Sequence, residues 1–133
     1  MIYCMAQQTN RVAVVGTGNV GSTFAYALLL SGLASEIVLI DANRARAEGE
    51  AMDLNHTEPF AQPTRIWAGD YADCVGAAVT VVAAGGSGDD TIASLAGQLP
   101  GQRLVVTADR ELRHRCEAAG AAVTGPRWLL SLF

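Results

Sequence analysis

The chain has 133 residues, half of them hydrophobic and 17% charged, with a formal net charge of −4. This composition excludes a disordered tail and provides enough apolar surface for one ordinary domain. The acidic balance supplies no broad positive field, so attraction to nucleic acid or an anionic membrane is not expected.

All nine basic side chains are arginine. A Walker-type phosphate lysine, a Schiff-base lysine and a lysine general base are therefore ruled out. Cys4, Cys74 and Cys116 are odd in number and lack C-x-x-C spacing, which argues against a disulfide framework or a zinc site and for a reduced, cytoplasmic setting. Residues 1–10 lack a basic start followed by an apolar run and read as an N-terminal extension, not a secretion signal. The apolar run 24–33 is too short to span a bilayer.

In chain order, residues 11–15 read as a buried strand rich in β-branched residues. A glycine turn follows, and then an apolar helix over 18–31 that Gly32 stops. Residues 36–40 form a second apolar strand ending at Asp41, which completes a βαβ unit. A polar, alanine-rich helix is expected over 43–55, halted by Pro59 and Pro63, with a short strand at 65–68 and a brief helix at 71–76. Residues 77–84 make a continuous apolar strand that Gly85, Gly86 and Gly88 break. Beyond it come a helix from Asp89 to about 99, a strand at 104–107, a helix over 110–119, a short strand at 122–124 and a terminal segment 126–133. Such alternation implies right-handed crossovers and a doubly wound, mostly parallel α/β sheet.

The turn Gly16-Thr17-Gly18-Asn19-Val20-Gly21 fits G-x-G-x-x-G between a strand and a helix. In that setting the first glycine permits the tight turn, the second lets a pyrophosphate approach the backbone, and the third lets the helix pack against the sheet. Free N–H groups at the helix start, aided by its dipole, suit an anion. Asp41 follows about twenty residues later at the next strand's end, where a carboxylate can accept from both ribose hydroxyls and repel a 2′-phosphate. The pattern predicts NAD in preference to NADP, with Arg44 and Arg46 close in sequence as the opposing feature. Read structurally, the glycines would only make a turn and Asp41 would only cap a helix.

The stretches RVAVVGTGNVGSTFAYALLLSG, EIVLIDAN, AEGEAMDLNHTEPF and AGDYADCVGAAVTVVAAG resemble the N-terminal half of bacterial L-lactate dehydrogenases and related malate dehydrogenases over residues 11–85. The resemblance implies that Gly16, Gly18, Asn19, Val20 and Gly21 contact the pyrophosphate and that Asp41 binds the adenosine ribose. It further implies that Ala83, Ala84 and Gly85 border the adenine and nicotinamide ribose. His56 falls in a structural helix near subunit contacts in that family and is not its catalytic histidine. The substrate-loop arginine, later aspartate, second arginine and catalytic histidine find no matching stretch here. Without them a 2-oxo acid is neither clamped nor given acid–base help, so the chain alone is expected to bind NAD(H) without catalysing hydride transfer.

Asp89-Asp90-Thr91-Ile92 followed by LVVTADRELRHRCEAAGAAVTGP resembles the C-terminal part of PIN-like or NYN-type ribonuclease domains over residues 88–128. That resemblance implies Mg²⁺ or Mn²⁺ held by Asp90 and Asp109, with Asp89 assisting, to activate water at a phosphodiester. Those nucleases need another acid after their first strand, where Gly16 stands here, so the set is incomplete. The preferred local reading makes Asp89 and Asp109 helix caps and Asp90 a first-turn partner of the helix dipole. Arg110, Arg113, His114 and Arg115 then form a solvated face balanced by Glu111 and Glu117, and Trp67 and Trp128 are packing residues.

Jointly these readings predict an α/β, doubly wound, three-layer Rossmann-like fold in one domain over residues 11–133, with residues 11–85 and 86–133 of different parentage, a chimera. The expected strand order is 3-2-1-4-5 with a sixth short edge strand. The leading function is an NAD(H)-binding module. The alternatives are a divalent-metal ribonuclease-like domain and a non-catalytic subunit or scaffold that works as a homo-oligomer or with a partner.

Overall fold

The structure is a computed structural model that describes residues 10–57, 63–83, 88–100, 103–125 and 127. The chain forms two compact units, Met1–Ala84 and Gly85–Phe133.

In the first unit, β1 (Arg11–Val15), α1 (Asn19–Ser31), β2 (Glu36–Ile40), α2 (Arg44–Thr57), β3 (Arg65–Ala68) and β4 (Val79–Val82) follow one another, with a short 3-10 helix at Tyr71–Cys74 before β4. The four strands make a parallel sheet in the order β3-β2-β1-β4, as the alternation predicted. All five residues of β2 are buried, the pattern of a strand covered on both faces. Successive side chains of a strand point to opposite faces. One face sends Val12, Val14, Ile37, Leu39 and Ile66 against Ala25 and Leu29 of α1 and Ala47, Ala51 and Leu54 of α2. The small alanines on both helices allow close helix–sheet approach, and Leu29, 1% exposed, is buried in the same core. Gly32 adopts a left-handed conformation (φ 67°) and returns its N–H to Leu29 O, ending α1 where the sequence placed the stop.

At the N-terminal end of the strands, Glu36 is buried and accepts a 2.8 Å hydrogen bond from Arg11 Nε, with Arg65 Nη1 at 3.7 Å. The guanidiniums of Arg11 and Arg65 lie 5.3 and 4.8 Å from the Trp67 ring centroid. Trp67 is thus an edge residue whose ring face supports two cations that neutralise one buried acid.

The second unit contains α3 (Gly88–Gln98), β5 (Leu104–Val106), α4 (Arg110–Ala118) and β6 (Ala122–Thr124). Its core joins Ala96, Leu112, Cys116 and Ala121 with the partly buried Ile92, Val105 and Val123. Arg103 ties the unit's turns together, donating from Nη1 to Leu99 O (2.8 Å) and from Nη2 to Gly120 O (3.2 Å).

The expected order 3-2-1-4-5 is corrected at its last step. β5 pairs in parallel with β6 in a separate two-stranded sheet, Leu104 opposite Ala122 and Val106 opposite Thr124. The crossover through α4 closes this pairing over a single helix, a short-range solution that strand–helix alternation permits equally well. The terminal segment 126–133, including Trp128, lies outside the described residues apart from Arg127, as do Cys4 and Pro59.

Candidate functional site

Parallel register sets the site. Val15 lies opposite Ile40 of β2 and Val82 of β4, so the three strands end level and deliver Gly16, Asp41 and Ala83 to the same end of the sheet. Gly16 turns the chain with φ 90°, a conformation open mainly to glycine, and donates its N–H to Ile40 O at 2.8 Å. Thr17 is wholly buried, Gly18 forms the N-terminal cap position, and α1 begins at Asn19.

The glycines differ in what they leave room for. A β-carbon at Gly21 would run into the carbonyl oxygen of Gly16 and lie 3.5 Å from Ala83 Cβ, whereas one at Gly18 would meet nothing within 4 Å. Gly21 therefore serves close packing of the helix on the turn, and Gly18 presents bare backbone to open space. Gly18 provides no side-chain cap, and the first turn of α1 carries no acid. Asn19 and Val20 are exposed there. Helix-start N–H groups with this surrounding suit an external anion.

Asp41 is held from two sides. Its Oδ2 accepts from Thr17 N at 2.8 Å and Thr17 Oγ1 at 3.0 Å, and its Oδ1 accepts from Asn43 N at 2.8 Å. Burial pushes its pKa upward, but the backbone bonds from Asn43 and Thr17, the Thr17 hydroxyl and the charge of Arg46 outweigh it and hold the carboxyl below its ordinary value. Asn43 also accepts at Oδ1 from Arg46 N (3.3 Å) at the start of α2. Arg44 is engaged elsewhere: Nε with Glu48 (3.1 Å), Nη1 with Asp70 (3.3 Å) and Nη2 with Ala68 O (3.4 Å). Thr17 went unnoticed in the sequence because the motif leaves that position open. A threonine directly after the first glycine is all that the sequence offers there; its burial and its bond to Asp41 come from the fold.

Of the other expected contacts, Ala83 stands beside the turn, its N–H bonded to Val15 O at 2.7 Å, while Ala84 and Gly85 lie outside the described residues. In the second unit, Asp109 Oδ1 accepts from Leu112 N at 2.8 Å and caps α4. Asp90 Oδ1 takes a 2.6 Å bond from Arg115 Nη2, and Asp89 is exposed in the first turn of α3. Among the described residues no three His, Cys, Asp or Glu side chains gather as a metal site. Cys74 and Cys116 are buried, and burial raises both thiol pKa values, the reverse of an activated nucleophile. No described helix is long and apolar enough to cross a membrane.

The family described as lactate/malate dehydrogenase, NAD binding domain, matches residues 10–89. The chain belongs to this lactate/malate dehydrogenase family. It is 44% identical over 106 residues to L-lactate dehydrogenase of Priestia megaterium, covering 80% of this chain and 30% of that one. It is 59% identical over 75 residues to a probable L-lactate dehydrogenase of Schizosaccharomyces pombe, covering 56% and 23% respectively. Among solved structures, a lactate dehydrogenase from a Medee basin deep-sea metagenome superposes with a TM-score of 0.70 at 33% identity, over 84% of this chain and 42% of that one. The chain thus spans 30% or less of the length of these two lactate dehydrogenase relatives.

A match of 106 residues is longer than the first unit, so dehydrogenase similarity extends past Ala84. The dehydrogenase part of the resemblance expected from the sequence is thereby shown.

Proposed function

We propose that the lactate/malate dehydrogenase-type unit binds NAD(H) across the strand ends, with the pyrophosphate on the Gly16–Gly21 turn and the adenosine ribose on Asp41. The single observation that carries this reading is the pairing of bare, open backbone at Gly18 with an oriented, ionised carboxylate at Asp41. In this assignment Gly16, Gly18, Asn19, Val20 and Gly21 line the pyrophosphate, and Ala83, Ala84 and Gly85 border the adenine and the nicotinamide ribose. A bound dinucleotide supplies a hydride donor or acceptor. The residues of this unit bind and orient it, and a complete oxidoreductase would draw its substrate clamp and proton-transfer groups from elsewhere.

Titration calorimetry with NADH, with NADPH and the Asp41→Ala variant as controls, tests the proposal. Saturable binding that prefers NADH and weakens about 10- to 100-fold in Asp41→Ala is expected, the loss of charge-assisted bonds worth roughly 1.5 to 3 kcal/mol. A folded protein that does not bind NADH, or whose affinity ignores Asp41, overturns the assignment.

A further inference from the structure

Thr17 occupies the unspecified position between the first two glycines of the turn, yet it is wholly buried and its side chain is polar. A hydroxyl removed from water needs a partner, and packing alone would be met by an alanine or valine. Here Oγ1 donates to Asp41 Oδ2 at 3.0 Å, across 24 residues of sequence, while the same oxygen accepts the Thr17 N–H at 2.8 Å. Asn43 N holds the other oxygen at 2.8 Å. The carboxylate is therefore pinned at both oxygens before any ligand arrives, and the Thr17 hydroxyl provides the side-chain contribution to that hold.

We propose that Thr17 is a positioning residue for cofactor choice: its hydroxyl fixes the Asp41 carboxylate where it can accept from ribose hydroxyls and repel a 2′-phosphate. The inference rests on the NAD(H)-binding reading above. A pre-placed acceptor binds the ribose without first losing its own side-chain freedom, which raises affinity for the dephosphorylated cofactor. A carboxylate that loses the Thr17 hydroxyl keeps its bonds from Thr17 N and Asn43 N but is held less firmly, so it opposes a 2′-phosphate less well and Arg46, whose charge already reaches Asp41, can engage that phosphate. Arg44 contributes less to this exchange because Glu48, Asp70 and Ala68 O engage it.

The decisive experiment compares NADH and NADPH affinities of the wild type, Thr17→Val and Thr17→Ser, with the Asp41 carboxyl titrated by NMR in each. Thr17→Val should bind NADH about 3- to 10-fold more weakly, narrow the preference over NADPH by a similar factor, and raise the Asp41 pKa. Thr17→Ser should stay within about twofold of wild type on all three readouts. Unchanged preference and unchanged Asp41 titration in Thr17→Val overturn the role of Thr17 while leaving Asp41 itself intact. Failure of the wild type to bind NADH overturns the cofactor reading instead. Should Thr17→Val not fold, Thr17→Ala takes its place with the same expected shifts, and an unchanged preference and unchanged Asp41 titration in that variant refute the hold.

Discussion

The carbonyl oxygen of Gly16 lies where a β-carbon on Gly21 would have to go. The first turn of α1 therefore sits directly against the strand-to-helix turn, with no layer of side chains between them. This contact separates two glycines that look equivalent in the motif.

Gly21→Ala should destabilise the fold by at least the 1–3 kcal/mol typical of overpacking, because the neighbour is rigid backbone. Gly18→Ala, at φ −71° with open space beyond the new methyl, should unfold at nearly the wild-type urea midpoint while losing NADH affinity. Urea unfolding and NADH titration of both variants check the contrast. Equal stability loss in the two would refute the different roles assigned to them.

The acid sensitivity of Asp41 has a defined sign. Its folded pKa lies below the unfolded value of 3.8, so its stabilisation is complete above that value and is lost as pH falls through the folded pKa. Asp41→Asn should flatten the acid limb of the stability–pH curve below about pH 4 and leave its slope near neutrality unchanged. NADH affinity of the wild type should fall over the same acid range as the ribose acceptor is protonated. Chemical denaturation at stepped pH provides the measurement, and identical acid limbs for the two proteins would show that Asp41 is not the group responsible.

For the second unit, Asp109→Ala should cost about 1 kcal/mol through loss of the bond to Leu112 N. Asp90→Ala should leave stability nearly unchanged, since its partner Arg115 is a surface group. Thermal unfolding with and without Mg²⁺ or Mn²⁺ should show no midpoint shift that depends on these carboxylates. A cation-induced rise that disappears in both variants would revive a metal-binding role.

Much of the first unit was legible in the sequence because its signals are local. Residues 11–15 and 36–40 are apolar runs bounded by turn chemistry, and Gly32 marks a helix end by its position alone. The place of Asp41 at the end of β2 was legible from its spacing after the glycine turn. Thr17 was not, because its role exists only when two segments 24 residues apart meet. The same limit applies to Trp67, read as a packing residue, whose two arginine neighbours come from β1 and β3. β5 was misplaced because a short strand of three residues carries little information about its partner. In the second unit, Asp89, Asp90 and Asp109 suggested chemistry by resemblance, but the positions of Leu112 N and Arg115 determine what Asp109 and Asp90 touch.

The order β3-β2-β1-β4 also bears on how the protein is made. The first strand in the chain is interior to the sheet, and its second neighbour is the last strand of its unit. A nascent chain that has emerged only through β3 can pair β1 with β2 but leaves the other side of β1 as a bare row of backbone donors and acceptors. Release of Val79–Val82 closes that edge. A pause in synthesis just before β4 therefore leaves β1, an interior strand of the finished sheet, as an open edge to which another chain's strand can pair.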